Sequence, residues 1–190
     1  FSGNDPQKTP ADGKVAGFGR VDGRDVAAVS NDFTVMGASS TIVNGRKIAH
    51  MKRVAGPRGL PLVFLGESSG ARIPETMGAA GMSASGSDPT QYVRLRETPW
   101  AAAILGPCYG SSSWYTCLSD FKVIRRGGLL SVSSAQLVNQ ATGSTVDPEA
   151  LGGWRLHSET TGLVDQVVDS DEEALAVVDE LPEVVGSGLT

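Results

Sequence analysis

Short, wholly apolar runs alternate with amphipathic stretches along this chain, and glycine or proline marks each change of period. Lys14–Val21 and Arg24–Ser30 are apolar-rich runs joined by Asp22-Gly23, a strong hairpin dipeptide. Ser39 or Ser40 is placed to cap a helix running to about Ala55. That helix carries Ile48, Met51 and Val54/Ala55 on one face and is stopped by Gly56-Pro57. Pro61–Gly66 (PLVFLG) and Ala101–Gly106 (AAAILG) read as strands buried on both faces of a sheet, and Leu129–Val132 as a third. After the first comes a polar, Ala- and Gly-rich stretch to Pro89. After the second come a tight glycine turn and a helix from about Ser112. Leu163–Val168 is strand-like, and Ser170-Asp-Glu-Glu173 is a capping box for a helix bearing Leu175, Val178 and Leu181. A hairpin followed by strand–turn–helix units predicts an α/β fold.

Composition narrows the class. The 190 residues, 40% hydrophobic and 19% charged, suit one domain with a proper core. Twenty-four glycines point to tight turns and close backbone approaches rather than a helical bundle. A net charge of −5 gives nucleic-acid binding no electrostatic support. No apolar run approaches the roughly 18 to 20 residues of a membrane span, and polar Phe1–Asp12 is no signal peptide. Two cysteines, Cys108 and Cys117, fit a reduced, cytoplasmic protein. Both ends of the chain read as cuts or subunit borders. No cluster of Cys, His, Asp or Glu has metal-ligand spacing.

Two junctions share one physical feature. In LGESSGARI (65–73) and ILGPCYGSSSW (104–114) a buried strand ends in small residues that open a helix. The first amides of a helix have no partner within it, and its dipole favours an anion there. Small residues let a ligand carbonyl reach the backbone itself. Two such junctions facing each other would make a two-donor oxyanion hole for a thioester enolate or a tetrahedral adduct. Gly17-Phe-Gly19 resembles a dinucleotide fingerprint but lies inside one strand and precedes another, so its context is wrong.

The segments NDFTVMGASS, ESSGARIPE, ILGPCYGSSSWY, LSDF and EALGGWRLHSETTGLVD follow one another as in carboxyltransferase subunits of biotin-dependent acyl-CoA carboxylases. The chain resembles the N-terminal half of that family. The resemblance implies a crotonase-like spiral of ββα units over residues 13–182, with 1–12 as lead-in loop and 183–190 as tail or linker. It implies an enolate oxygen held by amides at Gly70 and Ala71 and at Gly110 and Ser111. It places Gly37, Ala38, Ser39, Arg72, Ile73, Tyr109 and Ser112 around the acyl-CoA. It further implies biotin on a separate carrier protein or biotin carboxylase subunit, and a C-terminal-half partner chain or a homo-oligomer.

Some residues depart from the family pattern. Glu67-Ser-Ser69-Gly70 stands for a DSGGAR-like motif, and Gly110-Ser-Ser-Ser113 for Gly-Gly-Ala. Tyr109 replaces a small residue, and Ser134-Ala135 a Gly-Pro pair. A serine at a position needing positive φ would be strained, and an added hydroxymethyl would crowd the thioester. These changes raise a non-catalytic scaffold as a rival. A second rival is a thiol hydrolase on Gly106-Pro-Cys108-Tyr-Gly110, with His157 and Asp165 or Asp120 completing a triad. Arg72 is expected either to meet a CoA phosphate or carboxylate or to pair at the surface with Glu75.

Overall fold

The computed structural model describes residues 5–73, 75–85 and 98–186. β1 (Lys14–Val21) and β2 (Arg24–Asn31) form the expected hairpin, with Lys14 opposite Asn31 and Val21 opposite Arg24. Asp22 and Gly23 both take positive φ, as a two-residue turn matching the strand twist requires. α1 (Ile42–Ala55) follows. Its cap is Thr41, which accepts from the Asn44 amide, and neither Ser39 nor Ser40. The reason is tertiary. Ser39 bonds the Met36 carbonyl and Arg72, and Ser40 pairs with Ala71 in an isolated parallel bridge.

β3 (Leu62–Ser68) lies parallel to β2, and α2 (Gly78–Ser85) occupies part of the polar stretch; the remainder to Pro89 falls outside the described residues. β4 (Trp100–Tyr109) runs parallel to β3 and continues through Gly106-Pro107, where a tight turn was expected. α3 (Ser111–Leu118) starts after Gly110. β5 (Phe121–Arg125) and β6 (Leu129–Ser131) divide β4 between them. Ala101–Ile104 pair with β5, and Pro107–Tyr109 with β6. α4 (Ala135–Thr142), α5 (Pro148–Gly152), β7 (Gln166–Val168) and α6 (Asp171–Gly186) complete the chain. The sheet order is β1-β2-β3-β4-β5-β7, with β6 beside β4, and among the described residues every strand–strand pairing after the hairpin is parallel.

Both faces of the sheet are covered. One buries Leu62, Phe64 and Ala102 against Ile48, Met51 and Tyr115 from α1 and α3; the other buries Ala101, Ala103 and Val123 against Ala174 and Val178 of α6. The alanines at the start of β4 let helices approach from both sides. The α6 cap is shared. Ser170 Oγ accepts from the Glu173 amide, and Glu173 in turn accepts from the Asp169 amide. α6 runs on past residue 182, and Asp12 of the lead-in is buried. Among the described residues no helix is long and apolar enough to cross a membrane.

Candidate functional site

β3 and β4 end side by side, and each is followed by a turn that glycine makes possible. Gly70 has φ +105°, and Gly110 has φ +64° with ψ −132°. These turns abut. A Cβ built on Gly110 would stand 3.4 Å from Gly70 Cα and 3.9 Å from the Ala71 nitrogen. Ser40 clamps the first turn, its amide donating to the Gly70 carbonyl at 2.7 Å and its carbonyl accepting from the Arg72 amide at 2.9 Å. The Gly70 amide is spent on Ser68 Oγ at 3.1 Å, whereas that of Ala71 makes no hydrogen bond among the described residues. In the second turn Gly110 donates to the Val132 carbonyl at 3.1 Å and accepts from Ser113 and Trp114. The amides of Ser111 and Ser112, first in α3, make no bond there either, as helix geometry dictates.

The serines fit without strain. Ser69, Ser111, Ser112 and Ser113 all avoid positive φ, which falls on the retained glycines. Ser111 Oγ lies 2.7 Å from Ser40 Oγ and ties the two turns together. Ser112 is 1% exposed and its hydroxyl accepts from Asn31 Nδ2 at 3.0 Å; Ser113 Oγ donates to the Gly110 carbonyl at 2.7 Å. All three hydroxyls point to protein partners. Tyr109 is half-buried, its Cβ about one van der Waals contact from where a Gly70 Cβ would be, and burial raises its phenol above the ordinary value.

Residues 36–39 form the bed of the first turn. Ser69 donates to the Gly37 carbonyl at 2.8 Å and Ser68 Oγ to the Ala38 carbonyl at 3.1 Å. Met36, Gly37 and Ala38 all have positive φ, and a Cβ at Gly37 would lie 2.9 Å from Ser69 Oγ. Arg72 keeps Glu75 within ion-pair distance as expected, but is buried and not at the surface. It is 3% exposed, pairs with buried Asp12, and donates to Ser39 Oγ at 2.9 Å and the Ser39 carbonyl at 3.1 Å; Glu75 stands 3.9 Å away. Its guanidinium faces inward and holds the loop to the turn rather than meeting a phosphate or lying at the surface. Ile73, the next residue, is 68% exposed.

The thiol-hydrolase arrangement is not assembled. Cys108 is fully buried, and that burial pushes its thiol up to about 12, so no thiolate forms near neutrality. His157 Nε2 is 2.7 Å from the Leu130 carbonyl and Nδ1 3.2 Å from Thr161 Oγ1. Asp120 accepts from the Trp100 amide and Asp165 from the Lys122 amide. Sequence reasoning also missed residues. Lys14 and Asn31 lie beneath both turns, and Ser40 links them, but isolated polar residues at strand ends carry no pattern that would single them out.

This architecture and its paired turns place the chain among crotonase-like α/β proteins. The chain belongs to the carboxyl transferase domain family, whose model matches residues 2–186. It is 34% identical over 186 residues to the propionyl-CoA carboxylase beta chain of Saccharopolyspora erythraea, a match covering 94% of this chain and 33% of that one. With the biotin-dependent 3-methylcrotonyl-coenzyme A carboxylase beta1 subunit of Mycobacterium tuberculosis it shares 34% over 194 residues, 94% of this chain and 35% of the relative. Among solved structures, the transcarboxylase 12S hexamer with methylmalonyl-coenzyme A bound superimposes with a TM-score of 0.80 at 34% identity. That match covers 90% of this chain and 34% of the other. The chain thus spans about a third of the length of these relatives.

Proposed function

We propose that this chain is the acyl-CoA-binding half of a biotin-dependent carboxyltransferase, acting on a short acyl-CoA of the acetyl or propionyl type. The observation that carries the reading is the contact between two turns whose Ala71 and Ser111 amides make no hydrogen bond among the described residues. The thioester oxygen accepts from these two amides, with the α3 dipole behind the second. When the Cα proton leaves, charge moves onto that oxygen, and each donor is worth roughly 2.7–4 kcal/mol to the transition state. Gly37–Ser39 support the first turn, Ile73 and Tyr109 border the acyl chain, and buried Ser112 backs the second turn from beneath. Biotin on a separate carrier supplies the activated carboxyl group; this chain binds, orients and polarises the thioester.

Exposure of the surroundings favours a second body over the site. Ile73 and Val132, which adjoin the two turns, are 68% and 59% exposed. That body is a C-terminal-half chain or another copy, together with a biotin carrier or biotin carboxylase subunit. Residues 13–182 form the working domain, in a reducing cytoplasm where Cys117 stays free. Turnover is favoured over a scaffold role because the Ser111 and Ser112 hydroxyls are turned onto Ser40 and Asn31. Calorimetric titration with acetyl-CoA, propionyl-CoA and free CoA tests the reading. Tighter binding of the thioesters than of CoA is expected. If the assembled complex bound no acyl-CoA, the scaffold would replace it.

A further inference from the structure

Lys14 is a lysine where a strand starts, yet it is 2% exposed. Its amine donates to Asn31 Oδ1 and lies 5.4 Å from the centroid of the Phe64 ring. The other end of Asn31 is divided between the two turns. Nδ2 donates to the Glu67 carbonyl, just before the first turn, at 2.6 Å, and to Ser112 Oγ, just after the second, at 3.0 Å. Ser112 is itself held from behind, its carbonyl accepting from Thr116 Oγ1 at 2.9 Å. One buried amine therefore reaches both amide-bearing turns through a single carboxamide.

We infer that Lys14 is a positioning residue for the two turns, acting through Asn31, and that loss of its charge loosens both at once. The inference rests on the thioester-binding reading for its function, though not for its structural part. A hydrogen bond from an ammonium is roughly twice as strong as one from a neutral amine, so deprotonation weakens the link that fixes Asn31. It also removes a positive charge from beneath the place where the oxygen anion would form. The groups facing Lys14 leave its titration largely to burial. From β4 comes Cys108, neutral in the folded protein; from α1 comes Lys47, whose ammonium donates to the Lys14 carbonyl at 2.7 Å. Adjacent Asp12 is committed to Arg72 and Thr41, Tyr115 of α3 packs against Phe64, and the Glu67 carboxylate turns away over Gly106. Burial brings Lys14 down to about 7, so its charge changes near neutrality.

Backbone amide shifts of the ligand-free chain, followed by 15N NMR from about pH 5.5 to about 9, test this directly. Amides of Ser68–Ala71 and of Ser111–Ser112 should move together with one midpoint near 7. In Lys14→Met, which keeps the apolar stem, both sets should stay flat. In Ser112→Ala the first set should still move while the shift of the second falls by about half or more. Flat amides in the wild-type chain, or movement that survives Lys14→Met, would overturn the inference. The same samples titrated with propionyl-CoA should bind several-fold more weakly above the midpoint, with no such step in Lys14→Met. A wild-type affinity independent of pH would also overturn it. Moving amides with no binding at all would strike the thioester reading alone.

Discussion

Gly110 holds a backbone conformation, φ +64° and ψ −132°, that a side chain makes costly. Gly110→Ala should lower stability by about 1–3 kcal/mol in urea melts and abolish acyl-CoA binding in calorimetry, because relief of the strain moves the Ser111 amide. Ser111→Gly, by contrast, removes only the hydroxyl pair with Ser40 and should keep binding. Arg72 and Asp12 form a buried pair in which each would lose its main charged partner without the other. Asp12→Ala should cost about 3–5 kcal/mol, and adding Arg72→Met should recover part of it; additive losses would show that the pair is not coupled. Arg72 illustrates why residue roles were hard to read. Its neighbour Glu75 is near in sequence, but its main partner Asp12 sits in a stretch that looked like plain lead-in.

At the scale of elements, β4 decides the most. Its first residues pair with β5 and its last with β6, so one strand both builds the sheet and delivers the second turn. The alanines at its start are packed between helices. Ala102→Val should therefore cost about 1–3 kcal/mol in denaturant unfolding, although valine is the better strand former; an unchanged midpoint would mean that the helices can retreat. The hairpin, α1, β3 and α6 were legible because their apolar periods and turn residues agree. β5 was not, since Lys122 and Arg125 interrupt its apolar pattern; Lys122 buries its stem and donates to the Ser119 carbonyl at 2.9 Å. α4 was missed although its faces are well contrasted, because it is only 8 residues long and buries Ala135 alone.

Across the whole molecule, two buried groups link stability to pH. Burial lowers Lys14 from 10.5 to about 7 and pushes Cys108 from 9.0 up to about 12. Between those two Lys14 values the unfolded chain holds a proton that the folded chain has released. Unfolding free energy thus rises with pH there, by roughly 1.4 kcal/mol per pH unit. For Cys108 the sign is opposite. From about 9 upward the unfolded chain loses a proton that the folded chain keeps, and stability falls. On this pair's account, stability should climb from about pH 7 to about pH 9 and then level off. Urea midpoints across that range check it, and Lys14→Met should lose the climb.

The sequence by itself determined the hairpin, the buried strands β3 and β4, and the strand-to-helix junction at Gly110. Each of these is set by local chemistry: Asp22-Gly23, short apolar runs, and glycine where the chain must turn with positive φ. The turn after β3 instead leads into a bridge at Ala71, and α2 starts only at Gly78. Only the tertiary structure decided that the two turns touch, that Arg72 faces inward, that Cys108 stays protonated and that Lys14 lies beneath both turns. Those outcomes depend on contacts between segments distant in the chain, where burial and partner geometry outweigh any local preference.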